Sequence, residues 1–327
     1  MAALAGVGIK TVSRVINNEA NVSAPMRERV QHAVVALNFQ PNQGAGALRR
    51  SDQRTRTLGL LLDAVDNPFS ASVNRAVEGA ASGRGTAVFA ASFHDDPAVE
   101  RSIIDAFTRR RVDGLILTTI SADHRYLQVE LEQGTPVVFI DRPPVGLAAD
   151  AVLTDNYEAA AAAARHLLLY GHRRIAHLAD ELVISTSRER RRAFADEMAA
   201  AGQAPTHVDD LSSEAIAEAA VRELMTLADP PTAIFASQNL ITVGALRALH
   251  SLGLQHSVAL VGFDDLLLAD LVDPAVTVVA QDPTRMGTVA AERVFARLEG
   301  DTSPAATVVV PSQLVVRGSG EIPPPPD

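Results

Sequence analysis

From Thr57 onward, the sequence alternates short apolar runs with segments of helical periodicity. Strands that are buried on both faces have this pattern, and their alternation with helices implies right-handed β-α-β units and a parallel sheet. About 270 residues are too many for one such sheet, so we predict an α/β body of two lobes with a cleft between them. The runs are 58–62, 87–91, 114–118, 137–140, 175–178, 233–236, 258–263, 276–280 and 307–316.

The first 56 residues differ from the rest in charge. They hold eight Lys and Arg against three Asp and Glu, a net charge of +5, whereas the whole chain of 327 residues carries −10 and the remainder therefore −15. A small basic unit on an acidic body is typical of a polyanion-binding module attached to a different kind of domain.

Short helices are predicted in this basic part. An apolar stub at 2–5 and a helix at 9–17 are separated by the turn Gly6, Val7 and Gly8, which is helix-turn-helix geometry. A third helix is expected from Ser23 to about residue 37.

Several classes of protein are disfavoured by what the sequence lacks. It has no cysteine, no run of 18 apolar residues and no signal-peptide pattern at its start, so we expect a cytoplasmic protein with no membrane partner. It also lacks the common metal, nucleophile-elbow, Walker and dinucleotide motifs. We therefore expect no enzyme activity, no catalytic residues, no cofactor and no metal.

The segment 4–17 reads LAGVGIKTVSRVIN. On composition alone, its polar positions favour a solvated helix face over a DNA-reading one. The segment nevertheless resembles, at nearly every position, the pattern L-A-G-V-S-x-x-T-V-S-R-V-L-N of the LacI/GalR family of bacterial regulators. Further stretches resemble family signatures: 22–23, 27–30, 39–42, 66–69, 111–116, 134–138, 171–176, 261–265 and 315–319.

This resemblance implies a sequence-specific DNA-binding transcription regulator, most simply a homodimeric repressor of a palindromic operator. The fold it implies is an all-α helix-turn-helix head, whose first helix is truncated here, joined to a two-lobed body like that of periplasmic binding proteins. The expected domains are the head at 1–41, a hinge helix and linker at 42–56, the effector-binding and dimerisation domain at 57–320, and a proline-rich tail at 321–327. Lobe 1 is expected at about 57–153 and 283–311, and lobe 2 at about 154–282 and 312–320.

The resemblance also assigns the DNA contacts. The positions that read bases in the major groove are matched by Ile9, Lys10 and Arg14. Those near the DNA backbone are matched by Thr11, Ser13 and Asn17. Asn42 falls on the hinge helix and Leu48 on the leucine that wedges into the minor groove. Gly44 and Gly46 depart from the pattern, and each costs about 1 kcal/mol of helix propensity relative to alanine.

The resemblance places a small effector, a sugar or related polyol or nucleoside, between the lobes. Its contacts map onto Phe69, Ser70, Asp141, Arg190, Gln238 and Asp264. Carboxylates accept hydroxyl protons, a guanidinium group donates, and an aromatic ring covers the apolar face of a pyranose. Without the resemblance, the pattern favours simpler interpretations. Asp264 and Asp265 would be a pair of turn residues at a strand end, and the arginines at 188 and 190–192 would be a solvated helix end.

Departures near the expected pocket prevent transfer of the ligand's identity. Gln238 and Asn239 stand where the family commonly has Asn-Asp. The sequence Arg-Arg-Ala at 191–193 stands where the family typically has Leu-Ala-Gly. Family members also carry about six more residues at the start. We attribute their absence from this sequence to a misassigned start codon, in preference to a truncation or a real deletion.

The end of the chain favours a dimer over a tetramer. Tetrameric members carry an extra C-terminal leucine-repeat helix, whereas four prolines at 323–326 cannot form one. Two rival functions remain: a solute-binding protein without DNA regulation, and an α/β enzyme. The recognition segment argues against the first and the missing catalytic motifs against the second.

Overall fold

The computed structural model describes residues 1–16, 19–39 and 54–326, and the described part of the N-terminal unit, Met1–Thr55, contains three helices. They are α1 (Ala2–Ala5), α2 (Ile9–Ile16) and α3 (Ala24–Ala36). Gly6 between α1 and α2 has a φ of 62°, a left-handed conformation that suits glycine. The predicted short helices and their glycine turn are therefore confirmed.

A small apolar core holds these helices together. Ala5 of α1, Val12 and Val15 of α2, and Val30 and Ala33 of α3 are all buried. The helical spacing of Val12 and Val15 explains why one face of α2 packs inward while the opposite face lies in solvent.

The second unit, Arg56–Asp327, contains two six-stranded sheets. The first has the order β11-β5-β4-β3-β1-β2 and is parallel throughout. Its strands are β1 (Thr57–Leu62), β2 (Ala87–Ser92), β3 (Gly114–Leu117), β4 (Val137–Ile140), β5 (Asp150–Thr154) and β11 (Thr307–Val310).

The second sheet has the order β12-β10-β9-β8-β6-β7. Its strands are β6 (Ile175–Leu178), β7 (Thr206–Val208), β8 (Ala233–Ala236), β9 (Ala259–Phe263), β10 (Thr277–Ala280) and β12 (Gln313–Val315). Five of these strands run parallel, but β12 pairs with β10 in the antiparallel direction. We call the two sheets with their helices lobe 1 and lobe 2.

Helices cover both faces of each sheet and bury its apolar strands. Lobe 1 contains α4 (Pro68–Ser82), α5 (Pro97–Arg109), α6 (Gln128–Glu132) and α11 (Pro283–Leu298), and lobe 2 contains α7 (Asn156–Leu169), α8 (Ser185–Ala200), α9 (Glu214–Leu224) and α10 (Asn239–Leu252). The predicted α/β class, with a helical head and two lobes of largely parallel sheet, is confirmed.

Three details differ from the sequence prediction. The apolar run 307–316 forms two strands, β11 and β12, which belong to different sheets. Strands β5 and β7 were not predicted, because β5 begins with the polar Asp150 and β7 has only three residues. Packed structure also continues past 320, since Glu321 accepts hydrogen bonds from the Thr277 hydroxyl, and the Ile322 carbonyl lies 2.8 Å from His172 Nε2.

Candidate functional site

Helix α2 presents the side chains that the sequence assigns to DNA. Ile9 is 79% exposed and Lys10 and Arg14 are exposed, whereas Thr11 and Ser13 are half-buried. An isoleucine so exposed on a small domain has no packing role there. The other candidates, Asn17, Asn42 and Leu48, lie outside the described residues.

Arg14 is ion-paired with Glu19, its Nε lying 3.6 Å from Glu19 Oε2. Both side chains are about half exposed, and such surface pairs contribute about 0 to 1 kcal/mol. A phosphate or a guanine edge can therefore replace the glutamate at little cost.

A cavity of about 70 Å³ lies between the two lobes of the second unit. Side chains from the carboxyl ends of parallel strands and the first turns of helices line it, as is usual for ligand sites in open α/β sheets. All six effector candidates named from the sequence lie on this cavity: Phe69, Ser70, Asp141, Arg190, Gln238 and Asp264.

Lobe 1 supplies Phe69 and Ser70 from the first turn of α4 and Asp141 from the residue after β4. The side chain of Asn67 accepts a hydrogen bond from Phe69 N and caps α4. Asp141 has a left-handed backbone, with a φ of 68°, directly after its strand. Burial raises the pKa of Asp141, against the opposing effect of Arg142 and Arg190.

In lobe 2, Arg190 is 5% exposed on α8. Its Nε donates to Asn156 Oδ1 at 2.8 Å, its Nη1 donates to the Ser237 carbonyl at 2.8 Å, and the guanidinium lies 3.6 Å from the centre of the Phe263 ring. Burial lowers the pKa of Arg190, but Asp264 and Asp141 act in the opposite direction. Arginine remains protonated in proteins, so it places a fixed charge in the cleft.

The structure corrects the interpretation of the surrounding arginines as one solvated helix end. Arg190 is buried, Arg191 pairs with Asp209 at 2.9 Å, and Arg188 donates to the carbonyls of Leu182 and Val183. A helix periodicity of 3.6 residues explains why one arginine of the cluster faces the core while its neighbours do not.

Asp264 and Asp265 separate as adjacent residues at a strand end should. Asp264 lies on the cavity and accepts a hydrogen bond from Gln281 Nε2 at 2.7 Å, and burial raises its pKa. Asp265 pairs instead with Arg317 at 2.7 Å and is partly exposed. They cannot act as an acid and base pair on one substrate.

Gln238 is the N-cap of α10. Its Oε1 accepts hydrogen bonds from Leu240 N at 2.6 Å and Ile241 N at 3.1 Å. The cap occupies the side-chain oxygen, so the amide NH₂ is the part of Gln238 suited to a ligand oxygen.

Sequence reasoning missed several residues that line the same cavity. Asp63, Arg142 and Asp180 are the charged ones, and each follows closely on a buried strand. A polar residue just after an apolar run was the available signal, because that position is the carboxyl end of a parallel strand. Burial raises the pKa of Asp180 to about 6.

Two asparagines join the lobes directly. Asn67 Nδ2 donates to Asn239 Oδ1 at 3.2 Å, and Asn239 Nδ2 donates to Asn67 Oδ1 at 2.9 Å. Asn67 lies at the start of α4 in lobe 1, and Asn239 begins α10 in lobe 2. We call this contact the amide pair, and it links the lobes across the cleft.

An outer cavity of about 350 Å³ shares Asp63, Asn67, Asp180 and Gln238 with the inner one. Its other charged lining residues are acidic apart from one histidine: Asp66, His94, Asp95 and Glu181. The approach to the inner cavity is therefore strongly acidic.

A helix-turn-helix unit joined to a two-lobed domain with a polar interlobe cavity defines a class of ligand-responsive DNA-binding regulators. In the described part of the chain, no helix is long and apolar enough to cross a membrane. Family models agree with this class: residues 1–42 match the bacterial regulatory proteins of the lacI family, and residues 164–320 match a periplasmic binding protein-like domain.

Comparison with known proteins gives the family. The chain is 34% identical to the HTH-type transcriptional regulator PtxS of Pseudomonas aeruginosa, over 98% of this chain and 94% of that protein. A solved complex of the regulator CelR with cellobiose is 31% identical, has a TM-score of 0.71 and covers 97% of this chain and 98% of CelR. The lac repressor dimer bound to operator and the anti-inducer ONPF, 23% identical, has a TM-score of 0.86 and covers 98% of this chain and 97% of that one.

The chain belongs to the LacI/GalR family of transcription regulators. It is a DNA-binding regulator with an effector-binding domain, and not an enzyme.

Proposed function

We propose that this protein is a homodimeric repressor, acting in the cytoplasm, whose affinity for a palindromic operator is controlled by a sugar or polyol bound between its lobes. The observation that carries the proposal is the convergence of Phe69, Ser70, Asp141, Arg190, Gln238 and Asp264 on one interlobe cavity. A site made from both lobes binds its ligand best in one lobe arrangement, so ligand binding shifts the lobes toward that arrangement.

The chemistry of the cavity suits a polyhydroxyl ligand. Carboxylates, amides and hydroxyl groups dominate its lining, Phe69 supplies an aromatic surface, and Arg190 supplies a buried cation. The solved complex of CelR with cellobiose and the lac repressor complex with ONPF are relatives that hold small ligands.

The operator is read in this proposal by Ile9, Lys10 and Arg14, with Thr11, Ser13 and Asn17 at the phosphates. Asn42 and Leu48 act from the hinge, with Leu48 inserted into a central base step. Two-fold symmetry doubles the contact that one short helix makes with a palindrome.

Two measurements test the DNA half. Fluorescence anisotropy with a site selected from random DNA gives the operator affinity, and Arg14→Ala should cost about 1 to 3 kcal/mol there and much less on random DNA. Arg101→Ala, on the lobe 1 helix α5, is the matched control. Equal losses on both DNAs for Arg14→Ala would show that α2 does not read sequence, and no DNA binding at all would favour a solute-binding protein.

Thermal shift against sugars, polyols and nucleosides tests the effector half. A ligand at 100 times its Kd adds about 2.7 kcal/mol of stability. Arg190→Met and Asp264→Asn should abolish that shift and the release of operator while operator binding remains. An unchanged ligand affinity in both variants would remove these residues from the site.

A further inference from the structure

The charges around the interlobe cavity do not balance. Four carboxyl groups, those of Asp63, Asp141, Asp180 and Asp264, line the inner cavity, and those of Asp66, Asp95 and Glu181 lie beside it in the outer one. Two guanidinium groups, Arg142 and Arg190, accompany them. Net negative charge among buried groups is costly unless protons or a cation compensate it.

Both arginines already donate several of their N–H groups to acceptors within the protein. Arg190 donates to Asn156 and to the Ser237 carbonyl. Arg142, which is 7% exposed, donates through Nη1 to Asp95 Oδ1 at 3.1 Å and to the Thr119 carbonyl at 3.4 Å. Neither arginine is therefore set aside for a ligand anion.

The carboxylates, in contrast, accept few hydrogen bonds. Asp180 accepts one from Glu181 N at 2.8 Å and forms no ion pair with any residue that the structure describes, although the charges of Arg142 and Arg190 oppose the rise in its pKa. Asp63 accepts one from Asp95 N at 2.9 Å, and the nearest cation atom to Asp141 is Arg142 Nε at 3.7 Å, beyond hydrogen-bond distance. The cavity thus has more acceptors than donors, which calls for a ligand rich in donors.

Arg142 provides a second, independent sign of a ligand. Its buried Nε has no hydrogen-bond partner in the described part of the chain, although the residue lines the inner cavity. Buried polar groups in native proteins are almost always paired. Asp141 Oδ2 lies 3.7 Å from it, within ion-pair distance only, so a ligand hydroxyl oxygen would supply the hydrogen bond that this N–H lacks.

We propose that the effector carries a protonated amino group as well as hydroxyl groups, and that Asp180 of lobe 2 binds this ammonium group with Asp63 facing it from lobe 1. The inference rests on the proposed function, because it refines the ligand class of the same cavity. Amino sugars and amino polyols are the class of small molecule that it indicates.

The alternatives fit the cavity less well. A sugar acid or sugar phosphate adds acceptors and negative charge where both are already in excess. A neutral sugar fills the acceptors but brings no positive charge to the carboxyl groups. A metal ion is disfavoured because no group of three His, Asp or Glu side chains in the described ranges is arranged to hold one.

An ammonium group also couples binding to lobe position. Asp63 follows β1 of lobe 1 and Asp180 follows β6 of lobe 2, and both line the inner and the outer cavity, so each lobe brings a carboxyl group to the same space. A cation between them replaces repulsion by attraction and favours the arrangement in which the lobes are close. The acidic outer cavity attracts a cationic ligand toward the same place.

Calorimetric titration of the full chain with matched sugars tests the proposal. The probes are D-glucose, its 2-amino-2-deoxy derivative and D-gluconate, with the same three forms of the galacto, manno and ribo series. We expect the amine of the recognised series to bind at least 10-fold more tightly than the neutral sugar, and the acid not to bind. A neutral or acidic member that binds as tightly as its amine overturns the proposal.

Operator binding in the same preparation separates the two hypotheses. If no amine in any series binds while the protein still binds its operator, the ammonium assignment is wrong and the DNA-binding function stands. If operator binding also fails, the proposed function is wrong as well.

The substitution Asp180→Asn removes the charge and keeps the shape of the side chain. It should reduce the affinity for the amine at least 10-fold and change that for the neutral sugar less than 2-fold. Asp229→Asn is the matched control, since Asp229 is exposed and lines neither cavity, so that the substitution should affect neither ligand. Equal losses for amine and neutral sugar in Asp180→Asn would show a purely structural role and overturn the assignment.

Discussion

At the scale of single residues, the chemistry of the cleft follows from the burial of charge. Arg190 retains its cation because an amide, a carbonyl and an aromatic ring surround it. Asp180 has one backbone hydrogen bond and little else, and burial therefore raises its pKa to about 6 from an ordinary value of 3.8. Two charged residues in one cavity thus differ in how strongly the fold supports their ionised forms.

The raised pKa of Asp180 predicts a pH-dependent stability without ligand. The folded protein holds this proton up to about pH 6, whereas the unfolded chain releases it near pH 4, so the stability that Asp180 contributes at low pH is lost as pH rises. Two pKa units correspond to about 3 kcal/mol. Asp180→Asn cannot ionise and should gain up to that amount relative to wild type between pH 4 and pH 7.

Urea unfolding at several pH values measures this difference. The exposed Asp66→Asn serves as the control and should track wild type throughout. A constant difference between Asp180→Asn and wild type from pH 4 to pH 7 would show that Asp180 has an ordinary pKa in the folded protein.

At the scale of elements, helix contacts determine which glycines are required. A Cβ on Gly287 of α11 would lie 2.7 Å from the Val73 carbonyl of α4, whereas a Cβ on Gly79 of α4 would meet nothing within 4 Å. Both glycines lie inside helices of lobe 1. The close approach of α4 and α11 explains why residue 287 is glycine, whereas no contact requires a glycine at position 79.

These two glycines form a matched pair for substitution. Gly287→Ala should destabilise the protein by about 1 to 3 kcal/mol through overpacking against backbone. Gly79→Ala should stabilise it by about 0.5 to 1 kcal/mol, because alanine has the higher helix propensity. Chemical denaturation of both variants measures the two changes in stability. A similar change in the two variants would mean that α4 and α11 do not pack this closely.

The amide pair predicts a second effect at this scale. Asn239→Ala removes both hydrogen bonds between the lobes, while Gln238 still caps α10. Each hydrogen bond contributes about 0.5 to 1.5 kcal/mol, so the loss of both should lower effector affinity about 5- to 150-fold as the lobes open more readily. Calorimetry and small-angle scattering check affinity and lobe separation, and unchanged values in both would show that the pair does not influence closure.

At the scale of the whole molecule, exposed apolar residues point to self-association of the second unit. Leu267, Leu268 and Leu271 follow Asp264, a proposed effector contact, on one segment, and Leu271 is 75% exposed. Contiguous exposed leucines on a soluble protein are typical of an interaction surface. The proposed palindromic operator requires a second copy of this chain, which is the partner we assign to the segment.

Leu271→Lys should therefore weaken the dimer. Light scattering at micromolar concentration is expected to give about twice 34.6 kDa for wild type and a lower mass for the variant, with operator affinity reduced in parallel. Leu169→Lys, on α7 and 82% exposed, is the control and should remain dimeric. A dimeric Leu271→Lys would place the interface elsewhere.

The sequence by itself determined the local structure, because apolar periodicity reports burial along one segment. The runs at 137–140, 175–178 and 233–236 match β4, β6 and β8 at both ends, and the spacing of Val12 and Val15 identified the buried face of α2. Periodicity, charge and chain length also predicted the helical head and the two lobes, and resemblance to the family supplied the residues that meet in the cleft.

Only the tertiary structure decided which distant residues meet. The run 307–316 is divided between two sheets because β11 pairs with β5 and β12 with β10, a choice made by strands far away in sequence. The amide pair joins residues 172 positions apart. The carboxyl group of Asp180 accepts a hydrogen bond from Glu181 N, and only the packing of the lobes decides which further donors come near it. Local propensity contains no information on these contacts, since their energies exist only once the two lobes face each other.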